Sequence, residues 1–172
     1  MTLAQRLAAA SDVELRDERI DDEQFVADLY AEARRIELAP VPWNETQKHF
    51  FLRSQFALQR DYYRQHYEGA EFLVIVEGDT PIGRIYLHQG RDEIRLMEIA
   101  LIQQRQGCGV GTRLISALCQ LANDDDCELT LHVERDNPAV RLYQRLGFTL
   151  REERGVNLFL RRLPTAPLPS VV

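Results

Sequence analysis

The chain has a single lysine, Lys48, and three cysteines in 172 residues. Schiff-base chemistry would have to run through that one lysine, and nothing around it supports such a role. Cys108, Cys119 and Cys127 are odd in number and form no C-x-x-C pair, a pattern that fits free thiols best. No His/Cys grouping has zinc spacing, and no metal is expected. Free thiols point to a reducing compartment, the cytoplasm. Basic charge is also scarce: 21 Lys and Arg against 27 Asp and Glu leave a net charge of −6. Such a balance argues against a nucleic-acid partner, which needs a basic face. Long apolar runs are missing too. The longest, near residues 72–76, is of strand length, against the ~18 residues of a membrane span. The small apolar patch at residues 7–10 is too short and too weakly basic for a secretory leader. Glycine and proline are few, which excludes collagen-like and low-complexity chains.

What remains is an ordinary globular composition, 45% apolar and 28% charged. A chain of this length buries roughly 70% of its unfolded surface in one domain. That domain is read at residues 13–162, with an N-terminal extension at 1–12 and a Pro-rich tail at 163–172. Residues 13–16 suit a first strand. Asp21 or Asp22 then caps a helix carrying Phe25, Leu29, Ala33 and Ile36 at helical spacing. Ala39-Pro40-Val41-Pro42 breaks it, and a second, aromatic-rich helix runs over 44–66. The period then changes to that of strands at 72–76, 82–87 and 94–102, separated by turns at 78–81 and 89–92. A helix with Leu114, Ile115, Leu118, Leu121 and Ala122 and a strand at 129–133 follow, a spacing that favours a parallel crossover. Asn137-Pro138 opens a last helix, Gly147 closes it, and residues 148–161 form a final hairpin.

Between the third long strand and its helix lies Gln106-Gly107-Cys108-Gly109-Val110-Gly111. Glycines there let an anion approach the backbone, and the free N–H groups of the helix start hold negative charge. A diphosphate is the natural guest. A P-loop is excluded, because Gly111 is followed by Thr112 and Arg113 with no lysine. The dinucleotide G-x-G-x-x-G fails as well, its third glycine falling on Thr112 or Leu114, after antiparallel strands. What matches is Gln106-x-x-Gly109-x-Gly111, preceded by Ile99-Ala100-Leu101. Further on stand Asn137-Pro138-Ala139-Val140-Arg141-Leu142-Tyr143 and Leu146-Gly147-Phe148.

On these motifs and their order the chain resembles the GNAT superfamily of acetyl-CoA-dependent N-acetyltransferases over most of its length. The resemblance implies an α/β fold of the α+β type: a mixed, mostly antiparallel sheet of about seven strands, flanked by four helices, with a parallel pair around the glycine-loop helix. It implies acetyl-CoA as co-substrate and a small-molecule or peptide amine as acceptor. The cofactor would take backbone groups of Ile99, Ala100 and Leu101 and the loop Gln106, Gly107, Cys108, Gly109, Val110, Gly111 and Thr112, with Asn137 and Tyr143 also in contact. One residue is missing from the turn relative to the family's usual pattern, so Asp136 competes with Asn137 for that contact. Cys108 reads as a spacer in the loop rather than a nucleophile.

The chemistry needs a base. A lysine-like aminium, pKa about 10.4, leaves on the order of one neutral molecule in a thousand at pH 7. Glu98, immediately before Ile99, and His132 both qualify, and strand alternation aims Glu98 away from the acetyl group unless a bulge intervenes. Tyr143 is the family's general acid for the departing thiolate. The acceptor side falls to residues 37–56, with Trp43, Gln47, His49, Phe50 and Phe51, where Trp43 with Glu37 or Glu45 favours a cation. A non-catalytic acyl-CoA sensor on the same fold is the competing reading. A homodimer would form through the final hairpin.

Overall fold

In the computed structural model, which describes residues 1–164, the two hydrophobic periods sort into five helices and one sheet. The expected tail lies outside the described residues from residue 165 onward. The helices are α1 (Leu3–Ser11), α2 (Glu23–Arg34), α3 (Glu45–His66), α4 (Val110–Asp124) and α5 (Ala139–Arg145). The strands are β1 (Glu14–Asp17), β2 (Glu71–Glu77), β3 (Thr80–Gln89), β4 (Glu93–Leu101), β5 (Glu128–Glu134), β6 (Thr149–Arg154) and β7 (Asn157–Arg162). They form one seven-stranded sheet in the order β1-β2-β3-β4-β5-β7-β6. Every pairing is antiparallel except β4 with β5. This parallel pair embraces α4, as the crossover spacing requires.

The helix beyond the expected four is α1. Thr2 and Gln5 cap it reciprocally, each side chain taking the other's backbone N–H. Leu3 and Leu7 are buried in the main core, and Arg6 grips Asp125 at the end of α4 with two bonds of 2.8 and 2.7 Å. The segment read as an extension therefore supplies core residues. Helix α3 starts as expected at Asn44, whose side chain accepts from Gln47 N–H at 2.8 Å. Its partner α2 begins after Asp22, but that carboxylate does not cap it. It accepts from the Arg19 N–H at 2.7 Å and from the Arg16 guanidinium at 2.7 and 2.9 Å.

The sheet separates two apolar layers. Helices α1, α4 and α5 share the larger core, with Leu73, Ile75, Ile94, Leu96, Leu129 and Leu131 from the sheet. On α2 and α3, Val26, Ala27, Tyr30, Leu52 and Phe56 make a second, smaller one.

The centre of the sheet carries one irregularity. Strands β3 and β4 pair Tyr86 with Glu98 and Leu87 with Leu96, which leaves Met97 as an extra residue. Alternation restarts beyond it. Ile94 and Leu96 point into the main core, and after the bulge Ile99 and Leu101 resume that face. Glu98, which strict alternation would bury among leucines, turns instead toward α3, where Gln59 donates to it at 3.4 Å.

Candidate active site

Strands β4 and β5 are in register only from Glu93↔Glu128 to Leu96↔Leu131. Past the bulge they part. The amide edge of residues 97–101 on β4 is then without a strand partner on the β5 side. Ile102 N–H donates to Ile82 O at 2.9 Å, so by antiparallel alternation Ile99 and Leu101 turn their amides away from β3, toward the opening. The amide of Ala100 lies on the β3 side. Of the three residues expected to meet a cofactor by backbone, Ile99 and Leu101 have groups available there.

At one end of this opening sits the glycine loop. Gly107 and Gly109 have φ of 73° and 90°, and a Cβ built on either would meet nothing within 4 Å. Gly109 is the N-cap of α4 and offers no capping side chain. Among the described residues no backbone acceptor takes the N–H groups of residues 107–112, while Gln106 N–H is already given to Gln103 O at 3.2 Å. The free donors therefore begin at Gly107. Gln106 contributes structurally, its Nε2 donating to Leu101 O at 3.1 Å and tying the loop to β4. Cys108 is exposed, its thiol near backbone carbonyls of Gln104 and Gln106. Thr112 is exposed, Val110 buried, and Gly111 comes within 3.9 Å of a Leu101 methyl if given a Cβ. This open cradle, at a helix start with a positive dipole end, fits the diphosphate of a nucleotide-like cofactor.

Tyr143 projects from α5 into the main core, only 4% exposed, against the edge of Phe148 at 5.5 Å. Its hydroxyl has no hydrogen-bond partner among the described residues. Burial and the negative charge of Glu98 push its pKa up to about 12, so it is a neutral phenol across the physiological range. Asn137 behaves as a cap: its Oδ1 accepts from Ala139 N–H at 2.9 Å, and Asp136 stands exposed beside it.

The two candidate bases face the same side of the sheet. Glu98 stands 3.7 Å from the buried Arg84 guanidinium. His132 stacks on Phe159 with ring centroids 4.7 Å apart and a 26° interplanar angle. Burial and the positive charges of Arg95 and Arg154 lower its pKa, so its imidazole is neutral at pH 7. His132 and Met97, the residues just past the last parallel pair, line a groove of about 440 Å³ on the α3 side. Its walls come from the second half of α3, with Gln59, Tyr62 and Tyr63, from Tyr67 just after it, and from Arg95 and Phe159 of the sheet.

The residues expected on the acceptor side, 37–56, lie outside this groove. Trp43 packs edge-on against Phe51 at 5.3 Å, Phe50 is largely exposed, and neither lines the groove, nor do Gln47 and His49. Glu37 does reach the site region: burial, and then the charge of Glu134 at the end of β5, raise its pKa. Tyr63, Tyr67, Arg95 and Phe159, which line the groove, were not read from the sequence as site residues. The i, i+4 spacing of Tyr63 and Tyr67 was the one signal available there.

Residues 32–148 match the Acetyltransferase (GNAT) family. The chain belongs to that family. Over 77 residues it is 35% identical to the [ribosomal protein bS18]-alanine N-acetyltransferase of Haemophilus influenzae, an alignment covering 44% of this chain and 53% of that protein. The chain thus spans about half the length of this curated relative. Among solved structures, a PaiA N-acetyltransferase from Thermoplasma acidophilum, in complex with coenzyme A, superposes with a TM-score of 0.63 at 17% identity. That superposition covers 88% of this chain and 98% of the other. The ribosomal-protein-S18-alanine N-acetyltransferase of Escherichia coli gives 0.59 at 17% identity, covering 93% and 99%. At such identities these neighbours establish a shared fold. The seven strands, the parallel β4–β5 pair and the loop before α4 stand where the sequence placed them. No helix among the described residues is long and apolar enough to cross a membrane.

Proposed function

We propose that the chain is an N-acetyltransferase that carries the acetyl group of acetyl-CoA to a primary amine by direct attack in a ternary complex. The observation that carries this reading is the parting of β4 and β5 after Leu96 and Leu131, with free loop amides beyond one limb and the Glu98 carboxylate near enough to add to the burial that raises the Tyr143 phenol. The N–H groups of residues 107–112 would hold the diphosphate, and the freed edge of Ile99 and Leu101 would pair with the amides of the pantetheine arm like an added strand. Acetyl-CoA supplies an activated thioester.

Around that thioester the chain's own groups move protons. Glu98 takes one from the acceptor aminium, directly or through a water, so that the neutral nitrogen can form its bond to the acetyl carbon. As the carbon–sulfur bond breaks, Tyr143 gives its phenolic proton to the leaving thiolate, and the Leu101 N–H stabilises charge on the carbonyl oxygen. His132 offers a second route for the amine proton, favoured by its neutral imidazole and its place on the groove wall. The curated relative's name gives it an alanine α-amine as acceptor, and a small-molecule or peptide amine is what we propose for this chain.

The test is calorimetric binding of acetyl-CoA, with ATP and NADH as controls, followed by thiol release in the presence of an amine panel. Micromolar acetyl-CoA binding and amine-dependent thiol release are expected. Binding of ATP or NADH in its place would overturn the assignment.

A further inference from the structure

The groove on the α3 side has a character that the family assignment leaves open. It encloses about 440 Å³, ample for a small-molecule body. Its walls set aromatic rings among the polar side chains of Gln59, Arg95, Glu152, Arg154 and Asn157. Tyr63 and Tyr67 meet edge to face at 6.1 Å, and Phe159 carries His132 on one side. The Arg95 guanidinium lies 5.4 Å from the Phe159 ring and 5.8 Å from that of Tyr67. The cations of these walls bring their own counter-ions: Arg95 is held by Glu93 with two contacts of 3.3 Å, and Arg154 by Glu152 at 2.8 Å. A second positive charge on an acceptor would therefore find no unpaired carboxylate along the walls. Carboxylates gather elsewhere, beyond the point where the strands part: Glu98 on β4, and Glu134 on β5 opposite Glu37. Because Met97 and His132 line the groove at that vertex, its inner end opens onto the place of acetyl transfer.

We propose that this groove is an aryl subsite, and that the acceptor is a primary amine joined by a short chain to an aromatic ring. The aminium meets Glu98 at the vertex, and the ring lies between the tyrosines of α3 and the His132–Phe159 stack. Offset or edge-on contact with those rings rewards an aromatic body over a saturated one of the same size. An alanine methyl would leave the groove nearly empty, and a polyamine would place its second cation beside Arg95 and Arg154. This rests on the acetyltransferase reading above and narrows it.

The test uses the full chain with acetyl-CoA and compares kcat/KM for 2-phenylethylamine and tyramine with those for 2-cyclohexylethylamine, spermidine and an alanyl peptide. The aromatic amines are expected to exceed 2-cyclohexylethylamine by about tenfold, and spermidine by more. Phe159→Leu should shrink the phenyl-to-cyclohexyl ratio toward one, chiefly through KM, with the melting temperature measured alongside. The ratio in the unaltered protein tests the idea even if that variant fails to fold. Equal rates for the phenyl and cyclohexyl amines, or a clear preference for spermidine or the alanyl peptide, would overturn the aryl subsite and leave the enzyme reading standing. Acetyl-CoA binding without transfer to any of these amines would overturn both.

Discussion

The guanidinium of Arg84 stands 3.7 Å from the carboxylate of Glu98 across the β3–β4 pair, and Arg84 is 1% exposed. Three rings, those of Tyr30, Phe56 and Tyr86, lie within 6 Å of its charge. One of its nitrogens donates to the Tyr86 hydroxyl at 3.3 Å, which in turn donates to Glu18 at 2.5 Å, and Glu18 is paired with Arg60. A buried cation needs a counter-charge, so Glu98 is anchored by the fold itself. At 3.7 Å the pair leaves room for a carboxylate oxygen to accept from something else, and Gln59 already approaches it. The candidate base is thus held in place without being fully consumed.

Glu98→Gln keeps the shape and removes the basicity. It should lower kcat by about 10²- to 10⁴-fold while acetyl-CoA affinity stays within twofold. Tyr143→Phe should lower kcat over a similar range, because the packing against Phe148 survives and only the proton donor is lost. Steady-state rates beside calorimetric affinities check both. If His132→Ala abolishes turnover and Glu98→Gln does not, the imidazole is the base.

Gly109→Val should weaken acetyl-CoA binding at least tenfold. A branched side chain at φ 90° is strained, and it would stand in the open cradle before α4. Calorimetry measures the affinity, and circular dichroism verifies that α4 persists. Unchanged affinity would remove the loop from the cofactor site.

His132 should titrate below its ordinary value of 6.5, since burial and then Arg95 and Arg154 disfavour its charged form, against smaller opposing effects of Glu152 and Glu93. The sign follows from proton counting. Between the lowered value and 6.5 the unfolded chain binds more protons than the folded one, so stability falls with falling pH through that window and is complete above it. Imidazole chemical shifts followed against pH read this directly. Arg95→Gln should move the midpoint upward, and a midpoint at or above 6.5 in the unaltered protein would contradict the geometry.

Gly83→Ala should destabilise the protein by about 1–3 kcal/mol. A Cβ there would overlap the carbonyl oxygen of Ala100 and lie 2.8 Å from a Leu101 methyl, on the strand that borders the opening beside β5. Denaturant midpoints measure the loss. A neutral result would mean that β3 and β4 can separate locally.

Leu7→Ala should cost about 2–5 kcal/mol, because Leu7 is fully buried beneath α4 although it lies in the segment read from the sequence as an extension. We propose on that ground that the folding unit begins before residue 13. A loss near zero would return α1 to the status of an appendage.

Much of this architecture was legible along the chain. Glycines at 107 and 109 and the Asn137-Pro138 start of α5 act through their own backbone freedom and caps, so a few neighbouring residues suffice to specify them. The change from helical period to strand-length apolar runs reports burial, and it located the long strands β2, β3 and β4. The site needed tertiary structure for a different reason. Whether Glu98 faces leucines or Gln59 depends on a bulge at Met97, which exists only as a mismatch between β3 and β4. Arg84, Arg95 and Phe159 carry no local signature, because each meets rings or carboxylates that are distant in the sequence. Sequence determines what can be decided over a few residues, while the parting of two strands and the groove at their vertex are decided by pairing between distant ones.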